Sequence, residues 1–269
     1  KISGNRVQQW TPSMPKAAPK MDTVLKQYPP SHQGDKVVYL PSCATRIMGP
    51  SRNQGEDRST LEVAMSLLNK AGFSVVIPEE LGAQCCGMPF QSKGQFETAD
   101  AKAEELNQAL LKATNNGLYP VFCDTSPCLM RMRDKLDSRL RLYEQVEFIH
   151  DFVLPRLTLS SQVERIALHV TCSTTKMGLA DKFVSLAKVC AKEVVIPPDI
   201  TCCGFAGDKG FSHPELNAAA LKDLPTAVAG CTEGYSNSRT CEIGLSEHSG
   251  IPYQSIIYLV DRLTQNRSA

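Results

Sequence analysis

Two Cys-Cys-Gly triplets, at 85–87 and 202–204, mark two similar halves of the sequence. Each triplet lies between one cysteine far upstream and one far downstream. The spacing is Cys43-x41-Cys85-Cys86-x41-Cys128 in the first half and Cys172-x29-Cys202-Cys203-x37-Cys241 in the second. Eight of the eleven cysteines therefore form two matching sets of four. Iron–sulfur clusters and structural zinc ions require thiolates in sets of four, so the pattern predicts one metal centre in each half.

The similarity of the halves extends beyond the cysteines. Residues 37–45 resemble 166–174, residues 75–78 resemble 194–197, and residues 146–151 resemble 255–260. The repeat is far longer than one unit of a solenoid, which indicates a duplicated domain. We predict a first domain at 36–160 and a second at 161–269. The proline-rich stretch before them, with Trp-Thr-Pro-Ser-Met-Pro at 10–15 and Pro29-Pro30, predicts a linker or extended arm over 1–35.

Short β-branched runs alternate with amphipathic helical stretches in both halves. Strands are predicted at 37–40, 73–77 and 119–122, and again at 166–170, 194–196 and 227–229. Helical stripes are formed by Leu61, Met65, Leu68 and Ala71, by Phe96, Ala99, Ala103, Leu106 and Leu110, and by Leu179, Phe183, Leu186 and Cys190. This alternation predicts an α/β fold of two pseudo-symmetric halves, each a small, mainly parallel sheet flanked by helices. Cys43 and Cys172 then lie where a strand ends and a helix begins, which is where α/β folds place their ligands.

The composition argues against several classes of protein. The charges of the 29 lysines and arginines nearly cancel those of the 28 aspartates and glutamates, so the chain lacks the excess of positive charge that is typical of nucleic-acid-binding proteins. No apolar run approaches the roughly 18–20 residues that span a bilayer, and the polar start of the chain does not resemble a secretory signal. Eleven cysteines without such a signal favour a reducing, cytoplasmic compartment and metal ligation over disulfides. The first residue is Lys1 rather than methionine, which suggests a piece of a longer protein.

Adjacent cysteines favour a cluster over a single ion. A cluster presents several iron atoms, each of which needs its own thiolate, so neighbouring cysteines on a tight loop can reach two of them. Binding both thiolates of an adjacent pair to one small tetrahedral ion is harder, and zinc sites accordingly prefer Cys-x2-Cys spacing. The glycine after each pair permits a positive φ and lets the backbone approach the centre closely. These considerations favour iron–sulfur clusters and leave zinc open for one of the halves.

The paired Cys…Cys-Cys-Gly…Cys patterns resemble the duplicated cysteine-rich (CCG) domains of heterodisulfide reductase. Similar domains occur in the iron–sulfur subunit of glycolate oxidase, in anaerobic glycerol-3-phosphate dehydrogenase, and in the carboxy-terminal part of D-lactate dehydrogenases that contain FAD and iron–sulfur clusters. The resemblance covers residues 36–265. Three segments are most similar to the last group, namely the stretch at 10–15, Asp-Thr-Ser-Pro-Cys at 124–128 and Asn-Ser-Arg-Thr-Cys at 237–241.

The resemblance implies a module that relays electrons. Electrons would come from reduced FAD in an upstream flavin domain or subunit that oxidises a 2-hydroxyacid, D-lactate above all. They would pass towards a respiratory-chain acceptor, a quinone or a cytochrome, and the parent complex would be cytoplasmic or peripheral at the inner face of the membrane. This chain has no Gly-x-Gly-x-x-Gly motif and no ferredoxin-type cysteine run. We therefore expect it to bind no flavin and to be catalytically incompetent alone.

One departure from the family pattern changes the predicted centre. In heterodisulfide reductase the pattern ends in Cys-x2-Cys and supplies five thiolates to a non-cubane cluster. Here Thr125 and Ser238 stand three residues before Cys128 and Cys241. Four thiolates per half predict a conventional [4Fe–4S] cluster in each. Two alternatives remain open: a zinc-stabilised structural or docking domain of an oxidoreductase complex, and a thiol–disulfide enzyme similar to heterodisulfide reductase.

The three remaining cysteines are interpreted as structural. Cys123 lies five residues before Cys128 and is predicted to be a buried thiol at a strand end rather than a fifth ligand. Cys190 lies on an apolar helical stripe and is predicted to pack in the core. Cys231 has no counterpart in the first half and is also interpreted as a structural thiol.

Histidines and arginines near the cysteines give weaker signals. His169, in a strand where the first half has Leu40, is predicted to be a core residue. His213 is predicted to lie in a solvated loop. Arg46 and Arg239 flank predicted ligands and could either offset the negative charge of a cluster or be plain surface residues. The sequence assigns no catalytic residue.

Overall fold

Two four-stranded parallel sheets form the framework of the protein, whose computed structural model describes residues 14–29, 31, 33–52 and 56–266. The strands of the first sheet are β1 (Lys36–Leu40), β2 (Ser74–Val76), β3 (Val121–Cys123) and β4 (Leu142–Glu144). A separate antiparallel ribbon pairs β5 (Leu157–Leu159) with β10 (Thr264–Asn266), and the second sheet contains β6 (Val163–Leu168), β7 (Ala191–Val195), β8 (Gly234–Ser236) and β9 (Tyr253–Ser255). The strand orders are β2-β1-β3-β4 and β7-β6-β8-β9, so the sheets share one topology. The predicted α/β fold of two pseudo-symmetric halves is confirmed.

Helices flank both sheets. Those of the first half are α1 (Met21–Gln27), α2 (Cys43–Ile47), α3 (Thr60–Lys70), α4 (Met88–Gln91), α5 (Phe96–Ala113), α6 (Ser126–Lys135) and α7 (Gln145–Phe148). Those of the second are α8 (Cys172–Lys176), α9 (Ala180–Cys190), α10 (Lys209–Ser212), α11 (Pro214–Ala220), α12 (Leu224–Ala227), α13 (Arg239–Ser249) and α14 (Ile256–Leu263). Within the described residues, no helix combines the length and the apolar character needed to cross a bilayer.

Each sheet presents its two faces to different cores. On β1, Val37 and Tyr39 pack in a core that also contains Ile166 and Leu168 of β6, so this core is shared by the two halves. The intervening Val38 points to the opposite face and packs in a core whose buried members all come from the first half. Because both faces are buried along β1 and β3, these two strands are continuous apolar runs rather than alternating ones.

Helix α3 ties the first half to the second. Its amino terminus is a capping box, in which the Ser59 hydroxyl accepts from the Glu62 N–H and the Glu62 carboxylate accepts from the Ser59 N–H. At its other end, Lys70 pairs with Asp261 of α14 at 2.7 Å. Arg58 pairs with the same carboxylate at 2.9 Å. Two cations therefore neutralise one largely buried carboxylate between the halves.

The strand predicted at 227–229 is wrong. Helix α12 ends at Ala227, and the strand that pairs with β6 is β8. Pro225 in the first turn of α12 suits a helix start, and a three-residue apolar run does not distinguish helix from strand. Gly234 weakens the strand pattern of β8, but a Cβ there would lie 2.5 Å from Cζ of Tyr253. The glycine therefore lets the tyrosine ring pack directly on the strand.

The fourth strand of each sheet is not predicted from the sequence. β4 and β9 contain only three residues each, and each leads directly into a helix that Glu144 or Ser255 caps. Glu144 therefore corresponds to Ser255. The sequence comparison had aligned 146–151 with 255–260, and that alignment is wrong by two residues. The predicted helical stripes are buried except at Phe96, which begins α5 and is 63% exposed.

The described part of the predicted linker lies against the first half. Residues 21–27 form α1, which packs against α3 and places Val24 in the shared core. Ala17 pairs with Met48 in an isolated antiparallel bridge. Trp10 and its neighbours at 11–13 lie outside the described residues.

A layer of buried polar side chains joins the halves near the carboxyl ends of the strands. The Asn237 amide donates to the Glu144 carboxylate at 3.0 Å and to the Thr174 hydroxyl at 2.6 Å. The Ser126 hydroxyl lies 2.8 Å from that of Thr171. This layer is named the interface belt and consists of Ser126, Glu144, Gln145, Thr171, Ser173, Thr174, Asn237 and Ser255. Its hydrogen bonds satisfy most of its buried polar groups, and Asn237 Oδ1 is the one side-chain atom of the belt without a partner among the described residues.

Glu144 predicts a pH dependence of stability. Burial raises the pKa of Glu144 to about 8, against 4.5 for an ordinary glutamate. Between these values the unfolded chain loses the proton while the folded protein keeps it, so the free energy of unfolding falls as the pH rises. Glu144→Gln lacks this titrating group. Between pH 4.5 and about pH 8, we expect its free energy of unfolding to fall by about 1–3 kcal/mol less than that of the unmodified protein. Urea unfolding of both proteins at several pH values between these limits measures the effect.

The slope, rather than stability at one pH, is the informative quantity in this experiment. The Val146 N–H donates to the Glu144 carboxyl group at 2.6 Å, and a glutamine lowers stability at every pH if that bond is weakened. Glu242, whose pKa burial raises to about 7, contributes a similar slope to both proteins and cancels in the comparison. Identical slopes for the two proteins would show that Glu144 does not hold the proton.

Candidate metal centres

The first set of cysteines converges at the carboxyl end of its sheet. Cys43 is the first residue of α2, which follows β1, and Cys128 lies in the first turn of α6, which follows β3. Cys85 and Cys86 lie in the loop before α4. Because β1 and β3 are parallel neighbours, their carboxyl ends meet at one edge of the sheet, and the following helices begin side by side.

The second set is built in the same way. Cys172 begins α8 after β6, and Cys241 lies in the first turn of α13 after β8. Cys202 and Cys203 lie in the loop before α10. Equivalent cysteines therefore occupy equivalent positions on the shared topology.

The thiols form two corresponding chains of contacts. Neighbouring thiols, close enough to shift one another's pKa, follow the order Cys43, Cys85, Cys86, Cys128 in the first half and Cys172, Cys202, Cys203, Cys241 in the second. The Sγ atoms of Cys203 and Cys241 are 3.0 Å apart. The fold thus brings together four predicted ligands in each half. All eleven cysteines, each within the described part of the chain, are free thiols.

The donor set suits a thiolate-ligated cluster. Each half offers four soft sulfur donors that lie near one another, the ligand type that iron–sulfur clusters use. Within the ranges that the structure describes, no three or more His, Cys, Asp or Glu side chains are placed to hold a single metal ion.

The glycine after each pair shapes the loop that carries it. Gly87 has a φ of +82° and Gly204 a φ of +70°, in the left-handed region that side chains disfavour. The Gly87 N–H donates to Sγ of Cys85, and the Gly204 N–H to Sγ of Cys202, each at 3.4 Å. A Cβ on Gly87 would lie 2.2 Å from the carbonyl oxygen of Ala99. Conformation and space both require glycine here.

Polar side chains fix the second cysteine of each pair through its carbonyl group. Arg131 donates from Nε to the carbonyl oxygen of Cys86 at 2.8 Å, and its guanidinium pairs with Asp100 at 2.8 Å. In the second half, the Asn217 amide donates to the carbonyl oxygen of Cys203. Arg131 and Asn217 lie 45 and 14 positions from the cysteines whose carbonyl groups they bind and belong to no recognised motif, so sequence reasoning missed them.

The two arginines singled out in the sequence have structural contacts. Arg46 donates to the carbonyl oxygens of Leu81 and Gln84 and so holds the first Cys-Cys-Gly loop against α2. Arg239 is buried and donates to the carbonyl oxygen of Gly49 at 2.7 Å, across the boundary between the halves. Neither is a plain surface residue.

Asp124 is a further residue that sequence reasoning did not assign. It accepts hydrogen bonds from the Tyr39 hydroxyl at 2.8 Å and from the Ser42 N–H at 3.0 Å, and burial raises its pKa. The Ser42 hydroxyl in turn accepts from the Thr45 N–H and caps α2. Asp124 therefore positions the helix that carries Cys43. The sequence feature that could have identified Asp124 is its position at the start of the Asp-Thr-Ser-Pro-Cys segment.

The environment of the first set favours ionisation of one thiol. Hydrogen bonds from the Cys43 and Cys86 thiols lower the pKa of Cys85, and the positive charge of Arg46 acts in the same direction. Metals bind the thiolate form of cysteine, so this lowering of the Cys85 pKa is in the direction that favours ligation.

The two sets differ in their access to solvent. Cys172 and Cys202 are exposed, whereas Cys43 and Cys85 are partly buried and line a cavity of about 580 Å³. The other lining residues of this cavity are mainly apolar, and they also include two lysines and Arg46. Its lining includes Lys20, Met21, Ile47, Leu61, Leu81, Phe90 and Lys102.

The remaining candidates lie where the sequence suggested, with one addition. Cys190 is buried in the shared core, Cys231 in the core of the second half, and His213 is exposed beside Glu215. His169 is 2% exposed, and burial lowers its pKa to about 4. Cys123 is fully buried at the end of β3, as predicted, and it lines a second, much smaller cavity of about 20 Å³ that lies among the first four cysteines.

The family model of the cysteine-rich domain (CCG) matches residues 37–133 and 166–241. These two segments contain both sets of four cysteines. The chain belongs to the cysteine-rich domain family. It carries two cysteine-rich domain matches in tandem, which confirms the predicted duplication.

Two curated proteins are similar to this cysteine-rich domain chain. Lactate utilization protein A of Oceanobacillus iheyensis is 24% identical over 183 residues, which cover 61% of this chain and 72% of that protein. The glycolate oxidase iron-sulfur subunit of Escherichia coli K12 is 25% identical over 214 residues, which cover 74% of this chain. The chain spans half the length of that subunit. Among solved structures, Picrophilus torridus aspartate racemase aligns with 87% of this chain and 96% of its own at a TM-score of 0.40 and 9% identity, a likeness too weak to bear on function.

Proposed function

We propose that this protein is an iron–sulfur electron-transfer module of a flavin-linked 2-hydroxyacid dehydrogenase. The observation that carries the proposal is the matching chain of four contacting thiols in each half. The names of the relatives support it, because glycolate and lactate are both 2-hydroxyacids. D-lactate is the proposed substrate of the whole enzyme.

Each half would hold one [4Fe–4S] cluster. The proposed ligands are Cys43, Cys85, Cys86 and Cys128 in the first half and Cys172, Cys202, Cys203 and Cys241 in the second. When bound, each cluster supplies a one-electron redox centre whose potential depends on nearby charge and hydrogen bonds. The N–H groups of Gly87 and Gly204 donate to ligand sulfurs, which favours the more negative reduced state and raises the potential.

The module would connect a flavin to a respiratory acceptor. Electrons would enter from reduced FAD in an upstream flavin domain or subunit and leave towards a quinone or a cytochrome. The exposure of Cys172 and Cys202 supports contact with a partner at the second centre. We further propose that 36–160 and 161–269 are two domains, that 1–35 links them to the rest of the enzyme, and that the complex works in the cytoplasm at the inner face of the membrane.

Metal and sulfide analysis of anaerobically purified and reconstituted protein tests the proposal. We expect about eight iron and about eight sulfide per chain, with a broad visible absorbance that bleaches on reduction. Stoichiometric zinc without a redox signal would replace the proposal with a zinc-stabilised structural domain. An EPR signal of the oxidised protein that depends on added thiol would instead indicate a thiol–disulfide enzyme. Colourless, metal-free protein after reconstitution would contradict all three.

A further inference from the structure

The second half carries a buried histidine where the first half carries a leucine. His169 and Leu40 each lie three residues before the first proposed ligand of their half, Cys172 or Cys43. His169 is 2% exposed, and its Nε2 has no hydrogen-bond partner among the described residues. A buried polar group without a partner is destabilising and uncommon in folded proteins, so the surroundings of this nitrogen must account for it.

The backbone determines the direction of the His169 side chain. The His169 N–H donates to the carbonyl oxygen of Tyr235 at 2.9 Å, and the His169 carbonyl oxygen accepts from the Ser236 hydroxyl at 3.0 Å. The pairing of β6 with β8 therefore continues one residue past the end of β6. Because side chains alternate along a strand, His169 lies on the same face as Ala167. Ala167 packs in the core that contains Cys203, a proposed ligand of the second centre.

The first half shows what lies next to this position. Leu40 packs in the same core as Cys86, the counterpart of Cys203. Leu40 also lines the small cavity among the first four cysteines. Since the two halves share one topology, the side chain of His169 is directed towards the second set of cysteines in the same way.

We propose that His169 donates a hydrogen bond from Nε2 to a sulfur atom of the second centre, an inference that rests on the proposed function. The four cysteines remain the ligands, and the histidine adds a donor rather than a metal bond. Burial lowers the pKa of His169 to about 4, so the imidazole is neutral near neutral pH and can act as a donor without adding charge.

Such a bond distinguishes the two centres. A donor to a cluster sulfur stabilises the more negative reduced state and raises the reduction potential. Leu40 supplies no such donor to the first centre. The difference favours electron flow from the first centre to the second, where Cys172 and Cys202 are exposed to a partner.

His169→Leu tests this inference, because leucine is the residue that the first half uses at this position. The full chain is reconstituted anaerobically and titrated with EPR detection. We expect the potential of one centre to become more negative, while the other centre and the iron content of about eight atoms per chain are unchanged. His169→Gln retains an N–H donor and should recover much of the shift, which the loss of a merely structural side chain does not predict.

Pulsed EPR of the reduced, unmodified protein gives a second readout that does not depend on a variant that folds. With histidine labelled by ¹⁵N, we expect a weak nitrogen coupling to one centre, and this coupling should be absent from His169→Leu. His213→Leu is the matched control, since it removes an exposed imidazole from the same half. It should leave both potentials and the nitrogen coupling as in the unmodified protein.

Two results would overturn the inference. One is a set of potentials in His169→Leu that matches the control. The other is a nitrogen coupling that is missing from the unmodified protein or that persists in His169→Leu. Iron-free unmodified protein would overturn the proposed function itself, which is a separate and distinguishable result.

Discussion

Replacing the first cysteine pair, Cys85→Ala with Cys86→Ala, is expected to lower the iron content from about eight to about four atoms per chain. The two thiols are the middle members of the first chain of contacts, so their loss leaves Cys43 and Cys128 without a bridge between them. The second set lies on a different sheet and keeps all four thiols. Iron and sulfide analysis after anaerobic reconstitution, together with EPR of the reduced protein, measures the loss.

The reciprocal variant, Cys202→Ala with Cys203→Ala, should remove the other half of the iron and the other EPR signal. Cys231→Ala removes a thiol outside both sets and should leave the iron content unchanged. If either pair could be removed without loss of iron, the assignment of ligands would be wrong. If each removal emptied both centres, the halves would not bind their metals independently.

Gly87→Ala is expected to destabilise the protein by about 3–5 kcal/mol and to empty the first centre. An alanine at a φ of +82° costs roughly 1–2 kcal/mol by itself. The new Cβ would also lie 2.2 Å from the carbonyl oxygen of Ala99, so α5 or the Cys-Cys-Gly loop must move. Anaerobic urea unfolding and iron analysis measure the two effects.

Gly94→Ala is the matched control for this change. Gly94 has a φ of +77°, close to that of Gly87, but a Cβ there would meet nothing within 4 Å. It should therefore cost only the conformational part, roughly 1–2 kcal/mol, and keep its iron. Equal losses of stability in the two variants would show that close packing against α5 does not matter.

The repetition of short patterns explains why much of the fold and of the candidate site could be predicted. Cys43 and Cys172 follow apolar strand runs and precede helices, so their positions depend only on local sequence. The stripe that ends at Cys190 identified a buried helix face for the same reason. Strand β8 could not be found in this way. Its Gly234 is needed because the Tyr253 ring packs directly on it, and that ring is nineteen residues away in the sequence.

Contacts between distant residues account for what the sequence did not reveal. Arg131 reaches the carbonyl oxygen of Cys86 across 45 positions, and Asn237 reaches Glu144 across 93. Arg131 lies three residues after Cys128, and Asn237 begins the Asn-Ser-Arg-Thr-Cys segment, but nothing in these local sequences identifies the distant groups that they bind. Cys123 was placed correctly at a strand end, but only the pairing of β3 with β1 shows which cavity that strand end faces.

The interface belt bears on the rate at which electrons could cross the molecule. An apolar contact between the halves would tolerate sliding, whereas a slip in the belt would leave Asn237 or Glu144 without its partner in a buried environment. The halves are therefore held in one register. Tunnelling probability falls exponentially with the gap between donor and acceptor. With a cluster in each half, the belt would make that gap a fixed property of the fold, so that thermal motion of one half against the other does not gate the transfer.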